Sequence, residues 1–295
     1  MTTATSELAP NLQAEFRRNA KKLQMLPGVA VQALEIARDP ECSIREFVAV
    51  VERDAKLAAD ILGMSNSAVF SNGSPVVSLK QAIVRLGFRQ CRNLILSTSM
   101  ASLMKSLSLE EEWVRDVLWR HGFLTGMLAI HINNVVGAGF QGEEFAAGLM
   151  HDFGRTLIAV CLPSRFSIAD PLHFDESSET PAAEKCILGT DHCEAGAWFA
   201  EIGHLPSEFV DVIRYHHQPA ASVKHRRLVA LTAIADHMAN YMQRFDTASQ
   251  YDLSSNEAIC VLESCGPMNV AERLSDVYRE IMNDAKTEAQ KMWSV

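Results

Sequence analysis

Apolar residues recur at spacings of three and four along much of the chain, which is the period of an amphipathic helix. The clearest run follows Ser43, which with Glu46 forms a potential capping box at a helix N-terminus. Its apolar positions are Phe47, Val50, Val51, Leu57, Ile61 and Leu62. This spacing predicts one long buried helical stripe or two consecutive helices.

Other Ser and Asn residues stand three positions before a Glu or Gln, ahead of helix-spaced apolar residues. Such pairs predict helix N-termini, because the first side chain accepts from a free backbone amide and the second reaches back. The pairs are Ser78/Gln81, Ser108/Glu111, Ser254/Glu257 and Asn269/Glu272. Together they indicate an all-α chain.

Two polar segments interrupt the helical pattern. Residues 66–78 are rich in Ser, Asn, Gly and Pro, which indicates a connection before the next helix. Residues 163–190 are longer than the connections of compact domains normally are. We therefore predict that residues 163–190 contain a short helix at 182–188 or are partly mobile.

Composition agrees with a helical protein and narrows the classes of function. The 295 residues include only 15 Gly and 10 Pro, fewer than a turn-rich β-sandwich would use. A hydrophobic fraction of 48% with 21% charged residues is typical of a folded globular chain. The net charge of −9 argues against a globally basic protein that binds nucleic acid by neutralising phosphates, so nucleic acid is not an expected partner.

The sequence carries no membrane or export signal of the usual kind. No apolar run approaches the roughly 18 residues of a transmembrane helix, and the N-terminus lacks a basic region followed by an apolar stretch. The seven cysteines include no C-x-x-C pair, which fits neither a disulfide framework nor a zinc ribbon. We expect reduced thiols in a cytoplasmic protein with no membrane partner.

Polar pairs within apolar sequence single out candidate metal ligands. His151 and Asp152 form a dipeptide in an apolar segment, where two ionisable neighbours are costly to bury unless an ion binds them. His192 follows Asp191, a plausible helix cap, and Gly196 leaves room for close packing one turn later. These positions could hold a metal ion, or they could be satisfied polar groups of the core.

Four more residues complete the candidate set. His216 and His217 end an amphipathic segment, and adjacent helical side chains point about 100° apart, so the two could reach different ions. His121 and Asp236 are single polar residues in apolar helical sequence. Imidazoles with carboxylates suit iron, manganese, zinc or nickel, and a carboxylate can bridge two ions. The remaining histidines are interpreted as surface or structural residues: His131, His173, His204, His225 and His237.

Short motifs in the first part of the chain carry a family resemblance. They are Leu26-Pro27, Asp39-Pro40, Ser43, Asp54, Leu57-Ala58, Ile61-Leu62, Ser65 to Ala68, Ser78 to Ile83 and Leu86-Gly87. On these motifs, over about residues 20 to 245, the chain resembles the HDOD family of bacterial proteins, which is related to HD-domain phosphohydrolases and HD-GYP cyclic di-GMP phosphodiesterases. Ala55 stands where the family usually has Pro.

The resemblance implies an all-α fold in which an N-terminal helical subdomain packs on a C-terminal HD-like helical bundle. We place a tail and the start of the first helix at residues 1–18 and the N-terminal subdomain at 19–107. The HD-like subdomain follows at 108–245, and a C-terminal helical extension at 246–295.

The resemblance also implies the full metal-ligand pattern of HD and HD-GYP proteins. The matching residues are His121, His151, Asp152, His192, His216, His217 and Asp236. Three positions depart from HD-GYP enzymes: Arg155 replaces the usual Lys, residues 218–221 replace the Gly-Tyr-Pro loop, and Val117 stands where a further carboxylate ligand can occur. Hydrolysis of cyclic di-GMP is therefore not expected.

Two functions of different classes follow. The one we favour from the sequence is a bacterial signal-transduction output protein that is not an enzyme and acts through regulatory protein partners, with or without a bound metal. A small-molecule or nucleotide ligand is a further candidate partner.

The alternative is a metal-dependent HD-type phosphohydrolase acting on a nucleotide or another phosphoester. Two ions bridged by Asp152 would lower the pKa of a water for in-line attack on phosphorus, and Arg155 would help to neutralise the phosphoryl oxygens. No organic cofactor is expected. Metal analysis discriminates between the two functions.

Overall fold

The computed structural model describes residues 8–19, 28–37, 42–66, 74–106, 109, 112–175, 177–266 and 269–293. Within these residues the structure is helical and contains no strand, which confirms the predicted all-α class. The helices are α1 Pro10–Asn19, α2 Gly28–Ile36, α3 Ile44–Val51, α4 Ala55–Ser65, α5 Leu79–Ser106, α6 Glu112–Val136, α7 Glu143–Met150, α8 Phe153–Cys161, α9 Pro163–Ala169, α10 Thr180–Leu188, α11 His192–Ile202, α12 Ser207–Tyr215, α13 Arg226–Phe245, α14 Ala258–Glu263, α15 Val270–Ser275 and α16 Tyr278–Trp293. Short 3-10 helices occupy Pro219–Ala221 and Leu253–Ser255.

The chain divides into two compact units. Gln24–Ser106 form the smaller unit, and Met1–Leu23 with Leu107–Val295 form the larger one. The first helix thus belongs to the larger unit: Asn19 donates to the carbonyl of Cys161 on α8, and the ring of Phe16 lies 6.0 Å from that of Trp198 on α11.

The smaller unit consists of α2 to α5. The stripe after Ser43 is two consecutive helices: the first ends at Val51 with Glu52 as its C-cap, and Asp54 caps the second by accepting from the amides of Lys56 and Leu57. Its buried positions include Phe47, Val51, Leu57 and Ile61. Helix α5 bends at Gly87, whose positive φ of 77° suits a residue without a Cβ.

The larger unit is built on α6 and α13, which pack against each other and against α7 and α14 to α16. Their apolar faces form one core, to which α6 contributes Leu128 and Ile132 and α13 contributes Leu231 and Met238. Helices α14 to α16 of the predicted C-terminal extension take part in this core through Leu262, Leu274 and Met282.

The predicted capping boxes have different outcomes. The Ser43/Glu46 box is present in full. Ser78 accepts from the amide of Gln81, and the side chain of Asn269 donates to Glu272 without capping α15. The Ser254/Glu257 prediction is wrong, because Ser254 lies in a 3-10 turn that Asp252 caps and α14 begins after Glu257. Ser108/Glu111 lies outside the described residues.

The long segment 163–190 contains two helices, α9 and α10, and α10 covers the predicted residues 182–188. All seven cysteines are free thiols. Among the described helices, none combines the length and the apolar character that crossing a membrane would require.

Candidate metal centre

Helices α6 and α7 approach each other through glycines. A Cβ on Gly148 would lie 2.5 Å from the backbone nitrogen of Gly126, and one on Gly122 would lie 2.8 Å from the carbonyl oxygen of Leu149. Real Cβ atoms do not come this close to backbone, so the contact requires glycine at these positions. The approach brings His121, on α6, beside His151, which ends α7.

Helices α8 and α11 meet in the same way. A Cβ on Gly154 would lie 1.8 Å from the carbonyl oxygen of His192, and one on Gly196 would lie 2.9 Å from the nitrogen of Gly154. The close packing predicted at Gly196 is thereby confirmed. It places Asp152, the residue before α8, next to His192, the first residue of α11.

The structure brings all seven predicted ligands together around Asp152. Its Oδ2 lies 3.5 Å from Nε2 of His121 and 3.6 Å from Nε2 of His151. Oδ1 of Asp236 lies 3.0 Å and 3.3 Å from the same two nitrogens. We call His121, His151, Asp236 and Oδ2 of Asp152 the first ligand set.

The other oxygen of Asp152 faces three different histidines. Oδ1 lies 3.4 Å from Nε2 of His216 and 3.6 Å from Nε2 of His192. Nε2 of His192 is in turn 3.2 Å from that of His216 and 3.1 Å from that of His217. We call His192, His216, His217 and Oδ1 of Asp152 the second ligand set.

The hydrogen bonds of the rings turn their Nε2 atoms toward one another. In four of the histidines Nδ1 faces an acceptor to which it can donate, and a neutral ring that is protonated at Nδ1 carries its lone pair on Nε2. The acceptors are Gln243 Oε1 for His121 (2.5 Å), the Gly148 carbonyl for His151 (2.7 Å), Glu184 Oε2 for His192 (2.7 Å) and the Ile213 carbonyl for His216 (3.0 Å). Facing lone pairs repel unless a cation lies between them.

Distances within both sets fit a metal ion. An ion about 2.1 Å from each ligand holds neighbouring ligands about 3.0 to 3.4 Å apart, and the separations above span 3.0 to 3.6 Å. Oδ1 of Asp152 is buried and makes no hydrogen bond to any described residue. A buried carboxylate oxygen without a partner is costly, and coordination would satisfy it. The groups present could therefore hold metal ions.

The pKa shifts of the ion-free cluster also indicate that a cation would fit there. Burial would lower the pKa of His151, but the carboxylates of Asp152 and Asp236 raise it to about 9. Burial opposes ionisation of both carboxyl groups, yet the charge of His151 holds their pKa values well below the usual range. Burial lowers the pKa of His216 and His217. Without an ion, a proton on His151 offsets the two carboxylates, and a cation could take its place.

Sequence reasoning missed several supporting residues. Glu184 on α10 accepts from both Nδ1 and the backbone amide of His192, and its segment carried no signal for it. Asn240 donates to Oδ1 of Asp236 at 3.0 Å. Asn240 and Gln243 follow Asp236 by one and two turns of apolar α13, and this spacing could have revealed them.

Arg155, the predicted catalytic cation, is buried and engaged by two carboxylates. It donates to Oδ2 of Asp152 at 2.9 Å and forms a two-point contact with Asp170, with distances of 2.7 and 2.8 Å. This geometry orients Asp152. A role of Arg155 at a phosphoryl group stays a prediction.

An aromatic side chain covers the first ligand set. The ring of Phe174 stacks on that of His121 with centroids 5.1 Å apart, and the guanidinium of Arg155 lies 5.3 Å from its centroid. Phe174 belongs to residues 170–175, the cover segment, in which Leu172 and Phe174 adopt positive φ values of 55° and 52°. Asp170 and Asp175 tie this segment to Arg155 and Arg244, so ion pairs hold a strained backbone in place.

A cavity of about 500 Å³ is lined by ligands of both sets, His216 and His217 of the second and Asp236 of the first. Its other lining residues include Ser177, Ser178, Gln218, His237, Asn240, Asn256 and Glu257. His237, predicted to be a surface or structural residue, is half-buried; its ring lines this cavity, and its Nδ1 lies 2.8 Å from the hydroxyl of Tyr251.

The family model described as the HDOD domain matches residues 23–219. The chain belongs to the HDOD family. The match includes six of the seven grouped ligands, from His121 to His217, while Asp236 lies beyond its end. The family resemblance proposed from the sequence motifs is thus confirmed.

Solved structures show the same HDOD fold. An HDOD domain protein of Geobacter sulfurreducens, of unknown function, is 23% identical with a TM-score of 0.67, covering 93% of this chain and 98% of that one. A candidate phosphohydrolase of Shewanella amazonensis SB2B is 21% identical with a TM-score of 0.66, covering 92% and 97%. A candidate signal transduction protein of Marinobacter aquaeolei VT8 is 19% identical with a TM-score of 0.67, covering 99% and 67%.

A curated relative is an uncharacterized protein of Treponema pallidum (strain Nichols). It is 24% identical over 239 residues, which are 79% of this HDOD chain. The chain spans 44% of the length of that relative.

Proposed function

We propose that this HDOD protein binds two divalent cations, one in each ligand set, with Asp152 as a ligand of both. The observation that carries the proposal is that the two oxygens of the Asp152 carboxylate face different histidines. Oδ2 faces His121 and His151, while Oδ1 faces His192 and His216. Nitrogen and carboxylate donors of this kind suit iron, manganese, zinc or nickel.

We further propose that the pair of ions serves hydrolysis of a phosphoester. The sequence alone favours a regulatory protein without catalysis, but the geometry supports an enzyme better, because the cavity of about 500 Å³ is lined by ligands of both sets. When bound, a pair of ions would supply a water molecule of lowered pKa and positive charge that neutralises phosphoryl oxygens. Candidate phosphohydrolases among proteins of the same fold agree with this function.

The chain's own residues would orient and hold this centre. Glu184 and Gln243 fix the rings of His192 and His121 through Nδ1. Arg155 fixes the plane of the Asp152 carboxylate, and Asn240 does the same for Asp236. These four ligands therefore each have a further partner that limits their rotation, which helps to preorganise the site.

The cavity lining indicates the substrate class. Among the described lining residues none is Lys or Arg, and Glu257 adds negative charge. Neutralisation of a phosphate would therefore depend on the two ions. This favours a phosphomonoester or a single phosphodiester over a polyphosphate. Neutral side chains such as Ser178, Gln218 and Asn256 can hydrogen-bond a polar leaving group.

A second candidate function is a regulatory output module in which the same ions are structural and the surface binds a protein partner or a small ligand. Two observations favour it: Phe174 covers His121, and the charge of Arg155 is engaged by Asp152 and Asp170. A candidate signal transduction protein among the solved structures of this fold agrees with this alternative.

Metal analysis with assays of turnover tests both candidates. We would measure metal content and hydrolysis of phosphomonoesters, nucleotides and cyclic dinucleotides for the wild type, His121→Ala and His192→Ala. His131→Ala is the matched control, because His131 lies on the same helix as His121 and pairs with Glu288 away from both ligand sets.

The proposal expects two ions per chain and turnover in the wild type and His131→Ala. Each ligand variant should lose an ion and lose turnover. Substoichiometric metal that is unchanged in the ligand variants would reject the metal centre. Two ions without turnover on any of these substrates would reject the hydrolase and leave the regulatory module.

A further inference from the structure

A thiol lies within the second ligand set. Cys193 follows His192 at the start of α11 and is only 5% exposed. Its Sγ lies 3.4 Å from Nε2 of His192, the nitrogen that faces His216 and His217. One donor atom from each of these four side chains lies within 4.8 Å of all the others. The thiol thus belongs to the same donor cluster as the three imidazoles.

We propose that Cys193 is a ligand of the second ion. The proposal rests on the binding of two ions proposed above and adds a donor that neither the motif pattern nor the spacing of the histidines indicates. The second ion then has three imidazole nitrogens, one sulfur and one carboxylate oxygen available, whereas the first has two nitrogens and two carboxylate oxygens.

The distance between the Cys193 sulfur and His192 supports coordination. The 3.4 Å between Sγ and Nε2 of His192 is close to the 3.1 and 3.2 Å that separate this nitrogen from its imidazole neighbours. A sulfur ligand lies about 2.3 Å and an imidazole ligand about 2.1 Å from a zinc ion, so two such neighbours are separated by about 3.1 to 3.6 Å. The thiol therefore stands at the distance of a ligand that shares an ion with His192.

Binding of Cys193 to the ion requires no redox step. The S–H bond breaks, its proton passes to solvent, and the sulfur lone pair forms the bond to the ion. Neither sulfur nor metal changes oxidation state.

The thiolate gives the two positions different metal preferences. Sulfur and imidazole donors favour zinc or ferrous iron, while carboxylate oxygen also suits manganese. The second ion is thus of the thiophilic class, and the first position tolerates harder ions. A protein with this donor set is expected to hold a mixed pair when several metals are present.

Cobalt spectroscopy tests the proposal on the full chain. The protein is stripped with a chelator, dialysed and titrated with Co²⁺, and its absorption is recorded in the near ultraviolet. A thiolate-to-cobalt charge-transfer band is expected in the wild type. It is expected to disappear in Cys193→Ser and to persist in Cys161→Ser, the matched control with a thiol that is likewise buried in the larger unit.

A second measurement uses the wild type alone and so does not depend on the folding of a variant. X-ray absorption of the zinc-loaded protein is expected to show a sulfur scatterer at about 2.3 Å, with about half a sulfur per zinc on average when both sets hold zinc. Two bound ions with no charge-transfer band and no sulfur scatterer would overturn the role of Cys193 and leave the two-ion centre intact. Failure of the wild type to bind any ion would overturn both proposals.

Discussion

Gly154 lies so close to the carbonyl oxygen of His192 that a Cβ at this position would stand 1.8 Å from it. The contact joins α8 to α11 and brings the two ends of the candidate centre together, since Asp152 precedes α8 and His192 begins α11. The glycine after the His-Asp pair is thus a requirement of helix packing, separate from any contact with a ligand.

Gly154→Ala should separate Asp152 from His192 and destabilise the larger unit. Overpacking costs about 1 to 3 kcal/mol of stability where flexible side chains can move aside. A backbone carbonyl moves less easily, so we expect Gly154→Ala to lower the free energy of unfolding in urea by about 3 kcal/mol or more. Gly63→Ala, at an exposed position of α4 with nothing within 4 Å of the added Cβ, is the control and should change stability by less than about 1 kcal/mol. Wild-type stability and metal content in Gly154→Ala would contradict the packing argument.

Glu184 and Gln243 should act on different ions. Glu184→Gln weakens the acceptor at Nδ1 of His192, and Gln243→Ala removes the acceptor at Nδ1 of His121. Loss of such a partner typically lowers metal affinity about 10- to 100-fold. Stepwise calorimetric titration should show the weakening in one binding step for Glu184→Gln and in the other step for Gln243→Ala. Equal effects of both variants on both steps would show that the two sets do not bind separate ions.

Phe174→Ala should open the first ligand set. Removal of the ring exposes His121 and the guanidinium of Arg155, so a chelator should extract the first ion faster than from the wild type. A buried Phe to Ala change also costs about 3 kcal/mol of stability when the site does not collapse. The extraction rate should therefore be measured well below the unfolding transition.

Leu172→Ala is the control for Phe174→Ala, because Leu172 shares the cover segment and its positive φ but is only half-buried and has no ring to stack on His121. Its extraction rate should match that of the wild type. Extraction from Phe174→Ala at the wild-type rate would show that the ring does not shield the ion.

Binding to the first ligand set should depend on pH in a defined direction. In the ion-free protein the pKa of His151 is raised to about 9, so a cation must displace its proton at neutral pH. Apparent affinity should rise about tenfold per pH unit up to about pH 9 and then level off. Competition with a chromogenic chelator between pH 6 and 10 measures this slope, and a flat profile would contradict the assignment.

The same raised pKa has a consequence for stability. A group whose pKa is higher in the folded than in the unfolded state stabilises the fold fully below its unfolded pKa, about 6.5 for His. That contribution is lost as pH rises through about 9. The ion-free protein should therefore lose stability between pH 7 and 9, while the loaded protein, in which the ion replaces the proton, should not.

Capping residues in the sequence predicted helix starts correctly where no other side chain competed for the same hydrogen bonds. Ser43 and Glu46 form their capping box because both lie at an isolated, exposed helix start. Ser254 carries the same signal, but Asp252 accepts from both its amide and its hydroxyl, and a 3-10 turn forms in place of a helix N-terminus. The choice between one and two helices after Ser43 was open in the pattern, and the cap at Asp54 decides it.

The sequence by itself determined the all-α class and the membership of the HDOD family, because both depend on residue types at short spacing, and the resemblance to that family singled out the seven side chains. Only the tertiary structure decided which of these side chains lie in each ligand set and which other residues contact them. His121 and Asp236 are 115 positions apart and meet at 3.0 Å, the oxygens of Asp152 divide between two sets, Glu184 reaches His192 from another helix, and Asp170 engages Arg155. Such contacts join residues that are distant in the chain, so they depend on how the helices pack, including the close approaches at Gly148 and Gly154.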